Sequence, residues 1–151
     1  MKLYIIFLIF IFSSNAYTQK LGTQNLFYLL RTKDTEKRID FLSTKRFEQQ
    51  NSNKDLKLKF VFKRFNKRTQ EVDEEIVIAT QDTINYILKD PKKYITLKKA
   101  IEYECANPSK KIGDVTIYKN KHFLITLKEE EIPISKDAVK KNYIFSITNV
   151  N

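Results

Sequence analysis

The sequence predicts an α+β domain of two layers, a mostly antiparallel sheet with two to three helices packed on one face. Three observations carry this expectation. The stretch KDLKLKFVFKRF alternates with period two, placing Leu56, Leu58, Phe60 and Phe62 on one side and Lys57, Lys59, Val61 and Lys63 on the other. Asp90-Pro91 opens an amphipathic segment in which Tyr94, Leu97, Ile101 and Cys105 fall on one helical stripe. The candidate strands lie close together in sequence, and Gly22 and Gly113 are the only glycines, so the glycine-rich turns of parallel βα units are missing.

The elements follow in order. Lys2 precedes ten apolar residues, 3–12, and then Ser13, Ser14, Asn15 and Ala16. This is the layout of a secretory signal peptide over 1–16, since ten apolar residues are half of the ~20 a membrane-spanning helix needs. The remainder, 17–151, is one α+β domain. Leu26-Phe27-Tyr28-Leu29-Leu30 opens a short helix. Asp34-Thr35-Glu36 supplies an N-cap and an acidic first turn for a helix over 35–49, closed by a polar loop from Gln49 to Asn53. Strands follow at 56–63, 76–80 and 84–89, then the helix from Asp90-Pro91, stopped by Asn107-Pro108-Ser109. A hairpin pairs Tyr118 with His122, setting Ile117 opposite Phe123 and Val115 opposite Ile125. Glu129-Glu130-Glu131 and Pro133 interrupt it, and a last strand at 143–148 carries Tyr143, Phe145 and Ile147 on one face. The element order allows a loose repeat, each half being a helical segment followed by about three strands, although sequence identity between the halves is too weak to support it. Tandem units of that kind occur in exported inhibitor proteins, which is an analogy of fold alone.

Charge is uneven along the chain. Residues 17–68 hold 14 basic and 5 acidic residues, whereas 69–151 hold 13 of each. The whole excess of the expected mature chain therefore sits in its first third, pointing to an anion-facing surface. Lys, Asn, Ile and Phe are abundant, as in proteins of AT-rich bacterial genomes, and export there means the periplasm or the outside.

Chemistry is sparse. His122 is the sole histidine and Cys105 the sole cysteine, so no internal disulfide forms and no usual zinc set is present. Cys105 reads as a core residue and His122 as a strand-end residue. Asp73-Glu74-Glu75 and Glu129-Glu130-Glu131 are contiguous acids, expected to be solvated, without the spacing of a calcium loop. Two glycines leave no phosphate-cradling loop. No catalytic residue, metal or cofactor is expected.

Binding remains. A stacking surface for nucleic acid needs aromatics and cations on one exposed face. Alternation puts Phe60 and Phe62 opposite the lysines, and export disfavours that ligand further. The expected function is a small exported, non-catalytic binding protein whose basic third contacts an acidic protein, an envelope lipid or an acidic glycan. The expected contacts are Lys57, Lys59, Lys63, Arg64, Lys67 and Arg68. The alternative is an inhibitor or immunity-type protein neutralising an exported toxin or enzyme. A cofactor-free hydrolase, needing two carboxylates brought together from distant positions, is a third reading.

Overall fold

A computed structural model describes residues 21–50, 57–67, 70–105, 110–119, 121–135 and 138–150. The expected signal peptide, residues 51–56, Arg68 and the expected helix stop at 107–109 lie outside them. Among the described residues the fold is α+β, with three helices and one eight-stranded antiparallel sheet. The helices are α1 (Thr23–Arg31), α2 (Thr35–Thr44) and α3 (Pro91–Cys105). The strands are β1 (Glu48–Gln50), β2 (Leu58–Asn66), β3 (Glu71–Ala79), β4 (Thr83–Leu88), β5 (Lys110–Ile112), β6 (Val115–Lys119), β7 (Phe123–Ser135) and β8 (Ala138–Asn149).

The spatial order is β1-β2-β3-β4-β8-β7-β6-β5. Each half of the chain thus lays down four strands in sequence, and the two meanders join where β4 pairs with β8. Helical segments precede each meander, so the connectivity repeats as the sequence suggested, with four strands per half rather than three.

Strand alternation chooses the core. Phe60, Val77, Tyr86, Phe145 and Leu127 lie side by side across five strands and are all buried. Ala79, Ile84, Ile147, Ile125 and Tyr118 form a second buried row. Leu26, Leu29 and Leu30 of α1, Leu42 of α2, and Tyr94, Leu97 and Ile101 of α3 belong to the same cluster. Cys105 packs against it, partly buried.

Local signals explain the helix ends. The Asp34 carboxylate accepts from the amides of Glu36 and Lys37, and that of Asp90 from Lys92. Arg38, buried, donates to the carbonyls of Leu29, Thr80 and Gln81 and ties α1 to the β3–β4 turn. Burial lowers its pKa, opposed by the charge of Asp82.

Four expectations need correction. The helix expected over 35–49 ends at Thr44. Arg46 takes a left-handed φ of 66° and the Phe47 amide bonds back to the Leu42 carbonyl, a C-terminal lock that turns the chain into β1. Phe47 is still buried, but its ring lies 5.8 Å from Phe62 and outside any helical stripe. The hairpin register is shifted: Tyr118 pairs with Ile125 and Ile117 with Thr126. That shift is by an odd number of residues, so it puts Tyr118, not Ile117, on the core side. The larger aromatic wins the buried place because its hydroxyl also finds Glu102 of α3, at 3.0 Å.

The acids 129–131 and Pro133 do not interrupt the hairpin. β7 runs through them, carried by the ladder with β8 and by Lys141, which reaches Glu129 and Glu131. Finally, Asp73-Glu74-Glu75 is not a solvated run; it lies in β3 with Glu75 fully buried. No helix among the described residues is long and apolar enough to cross a membrane.

Candidate functional site

The strand residues of the parity opposite to the core form the first feature. Val61, Ile76, Ile87 and Ile144 stand in one row on β2, β3, β4 and β8. Val61 is buried and the three isoleucines are half-buried. The next row along the sheet is mixed: Lys59, Ile78, Asn85, Ser146, Thr126 and Ile117. On the other side lies a polar row in which Lys63 and Lys89 both reach Glu74, whose carboxyl is held below its usual range chiefly by the Lys89 hydrogen bond. Lysines therefore fringe an apolar strip on this surface. The charged residues of this parity are Lys59, Lys63, Lys110, Lys119, Lys128 and Lys140 against Glu48, Glu74 and Glu130, with Lys89 beside them.

Alternation sorts the expected anion contacts. Lys59 and Lys63 are exposed on β2 and share this surface, and Lys57 is exposed just before the strand. Arg64 has the opposite parity and stands across from Asp73, while Lys67 is exposed in the turn after β2. The six residues are thus not one patch, and Arg68 lies outside the described residues. The register also places Glu74 opposite Lys63 at 3.7 Å. The basic first third is therefore partly neutralised by the acids that follow it, which charge counted along the chain does not show.

The second feature is a notch in the sheet. β4 stops at Leu88 because Asp90-Pro91 turns the chain into α3, yet its neighbours continue. Glu71, Val72, Asp73 and Glu74 pair only with β2, and residues 138–142 only with β7. A cleft of about 990 Å3 lies between these two strand extensions, closed at its inner end by Lys89, Asp90, Pro91 and Lys92. Val72 and Val139 are exposed on its opposite walls.

Behind the notch is a buried charged cluster. Glu75 accepts hydrogen bonds from the Tyr86 hydroxyl and from Lys93, whose Nζ lies 2.8 Å from Glu75 Oε1 and also pairs with Asp73. Burial lowers the Lys93 pKa, but its bonds to Asp73 and Glu75 more than offset this, and the net shift is upward. Burial, reinforced by Glu75, holds the Tyr86 phenol well above its usual value. Tyr94 stacks on Tyr143 with ring centroids 4.4 Å apart, and burial followed by the charge of Glu129 pushes its phenol up to about 12.

These shifts have one sign. A phenol or ammonium whose folded pKa is raised keeps its proton in the native state after the unfolded chain has released its own. Its stabilisation is complete below the unfolded value, 10.0 for tyrosine and 10.5 for lysine, and is lost as pH rises through the folded value. The urea midpoint should hold steady around pH 8 and fall between about 10 and 12, with Tyr94→Phe flattening part of that fall. An unchanged midpoint at about pH 11 would contradict the assignment.

His122 is exposed, beside Phe123, and no group of three His, Cys, Asp or Glu among the described residues is placed to hold a metal ion. No family model, curated protein or solved structure matches the chain. The site thus rests on geometry. The notch had one legible signal, Asp90-Pro91, which announces an early end to β4. The greater length of β3 and β8 had none, because the extension at 71–74 is mostly acidic and that at 138–142 carries two lysines, so neither shows an apolar alternation.

Proposed function

We propose that the protein is an exported, non-catalytic binding protein that takes an acidic partner protein on the sheet face opposite its helices. The supporting observation is the row Val61, Ile76, Ile87 and Ile144, apolar across four adjacent strands and fringed by lysines. With the helices forming one layer, that face is the second surface of a two-layer domain. β-branched residues there lend a desolvatable centre, and the lysines supply long-range attraction to carboxylates. The fringe belongs to both meanders, so the basic contact is broader than the β2 lysines alone.

The join between β4 and β8 also favours the inhibitor or immunity reading, because it merges two meanders into one platform of the breadth a protein interface needs. That version requires a single cognate toxin or enzyme whose activity is lost on binding.

The test is capture of acidic proteins from an envelope extract at low ionic strength, compared with phosphatidylglycerol vesicles and an acidic glycan. Retention should be lost at high salt. Ile87→Glu with Ile144→Glu should lower it at least about tenfold, the change expected on losing a desolvated centre. Retention by vesicles or glycan alone would replace the protein partner with that ligand. Failure of all three to bind would end the reading.

A further inference from the structure

The notch has the dimensions and the unfilled bonding of one missing strand. β3 and β8 are both antiparallel to β4, so where β4 lies between them they are two strand spacings apart, about 9–10 Å. Beyond Leu88, and past Lys89, Asp90, Pro91 and Lys92 at its inner end, no strand of the described residues pairs into that interval. The backbone groups of Glu71–Glu74 that point away from β2, and those of residues 138–142 that point away from β7, meet no strand among the described residues. The outermost strands, β1 and β5, have only three residues each, which blunts the sheet's outer edges. The notch differs from any outer edge in presenting two such edges to the same guest.

We propose that this notch binds an extended segment of a partner polypeptide, about three residues deep, which continues β4 and pairs antiparallel with both walls. The register identifies the guest positions. The first lies between Asp73 and Lys141, the second between Val72 and Lys140, and the third between Glu71 and Val139. The second position selects a carboxylate with an apolar stem, because Val72 flanks it on one wall and Lys140 on the other. Lys140 and Lys92 have no carboxylate partner among the described residues, whereas Asp73 is held by Lys93 and Glu74 by Lys63 and Lys89. Lys140 therefore sets an unpaired cation beside the second guest position, while Glu71 and Asp90, which line the same cleft, set carboxylates beside the third position and at the inner end. The notch shares Lys63 and Lys89 with the fringe of the sheet face but none of its isoleucines, so Ile87→Glu with Ile144→Glu tests the face and Lys140→Glu tests the notch.

The test uses the full chain and three acetylated, amidated pentapeptides. These are Thr-Val-Glu-Val-Thr, its Lys-centred counterpart, and the Glu-centred peptide N-methylated at alternate amides to remove one edge of donors. The Glu-centred peptide should bind, with amide NMR shifts at both residues 71–74 and 139–142. N-methylation should abolish binding. Lys140→Glu, an exposed substitution compatible with folding, should weaken the Glu-centred peptide about tenfold and favour the Lys-centred one. The proposal is overturned if neither charged peptide binds at millimolar concentration, or if Lys140→Glu leaves their preference unchanged. Shifts confined to one outer strand edge, or a second copy of the chain filling the notch as a dimer, would also overturn it.

Discussion

Replacing Lys93 by methionine should destabilise the protein by about 3–5 kcal/mol, the cost typical of stranding one member of a buried ion pair. Glu75 is fully buried in the row that runs from Phe62 to Leu88, where every other tenant is apolar. A carboxylate is tolerated there because Lys93 reaches down from the first turn of α3 and Tyr86 donates from the neighbouring strand. Methionine keeps the volume and removes the charge, so Glu75 and Asp73 lose their shared counter-ion. The accompanying control is Glu75→Gln in the same protein. Neutralising the stranded acid should restore a large part of the lost stability, because an amide is much cheaper to bury than a carboxylate. Chemical denaturation of the two variants checks both statements, and a single substitution costing less than about 1 kcal/mol would show that the pair is not desolvated.

Phe145→Ala should cost about 3–5 kcal/mol, while its sequence neighbour Ile144→Ala should cost about 1 kcal/mol or less. Phe145 lies in the middle of the sheet between Tyr86 and Leu127, is fully buried, and meets the Tyr94 ring at 5.3 Å. Its removal opens a cavity that rigid strands on both sides cannot close. Ile144 is half-buried on the other face. Comparing denaturation midpoints for the pair tests which sheet face the helices cover, and comparable losses would remove the surface on which partner binding is proposed.

Much of this architecture is legible in the sequence, for definite reasons. Alternation at 56–63 separates Phe60 and Phe62 from Lys59 and Lys63 because a pleated strand has only two faces. Asp34 and Asp90-Pro91 mark helix starts because caps are local chemistry, complete within three residues. The stripe of Tyr94, Leu97 and Ile101 is likewise local. Apart from the early helix end at Thr44, what failed depends on a partner distant in sequence. The register of β6 with β7 turned on Glu102 accepting from Tyr118, a contact between different elements. The acids of β3 read as solvated because no local pattern shows that lysines from β2, from the start of α3 and from its approach converge on them.

The same division holds for the candidate surfaces. By itself the sequence determined that this chain is an α+β domain with a lysine-bearing strand face, and that its acids and cations are unevenly spread along its length. Only the tertiary structure decided that Lys63 faces Glu74, that Arg64 lies on the other side of the sheet, and that β4 ends short between two longer neighbours. Periodicity is a property of one strand and can be read along the chain. Charge balance, register and a gap in a sheet are properties of strands side by side, and they exist only once the chain has folded back on itself.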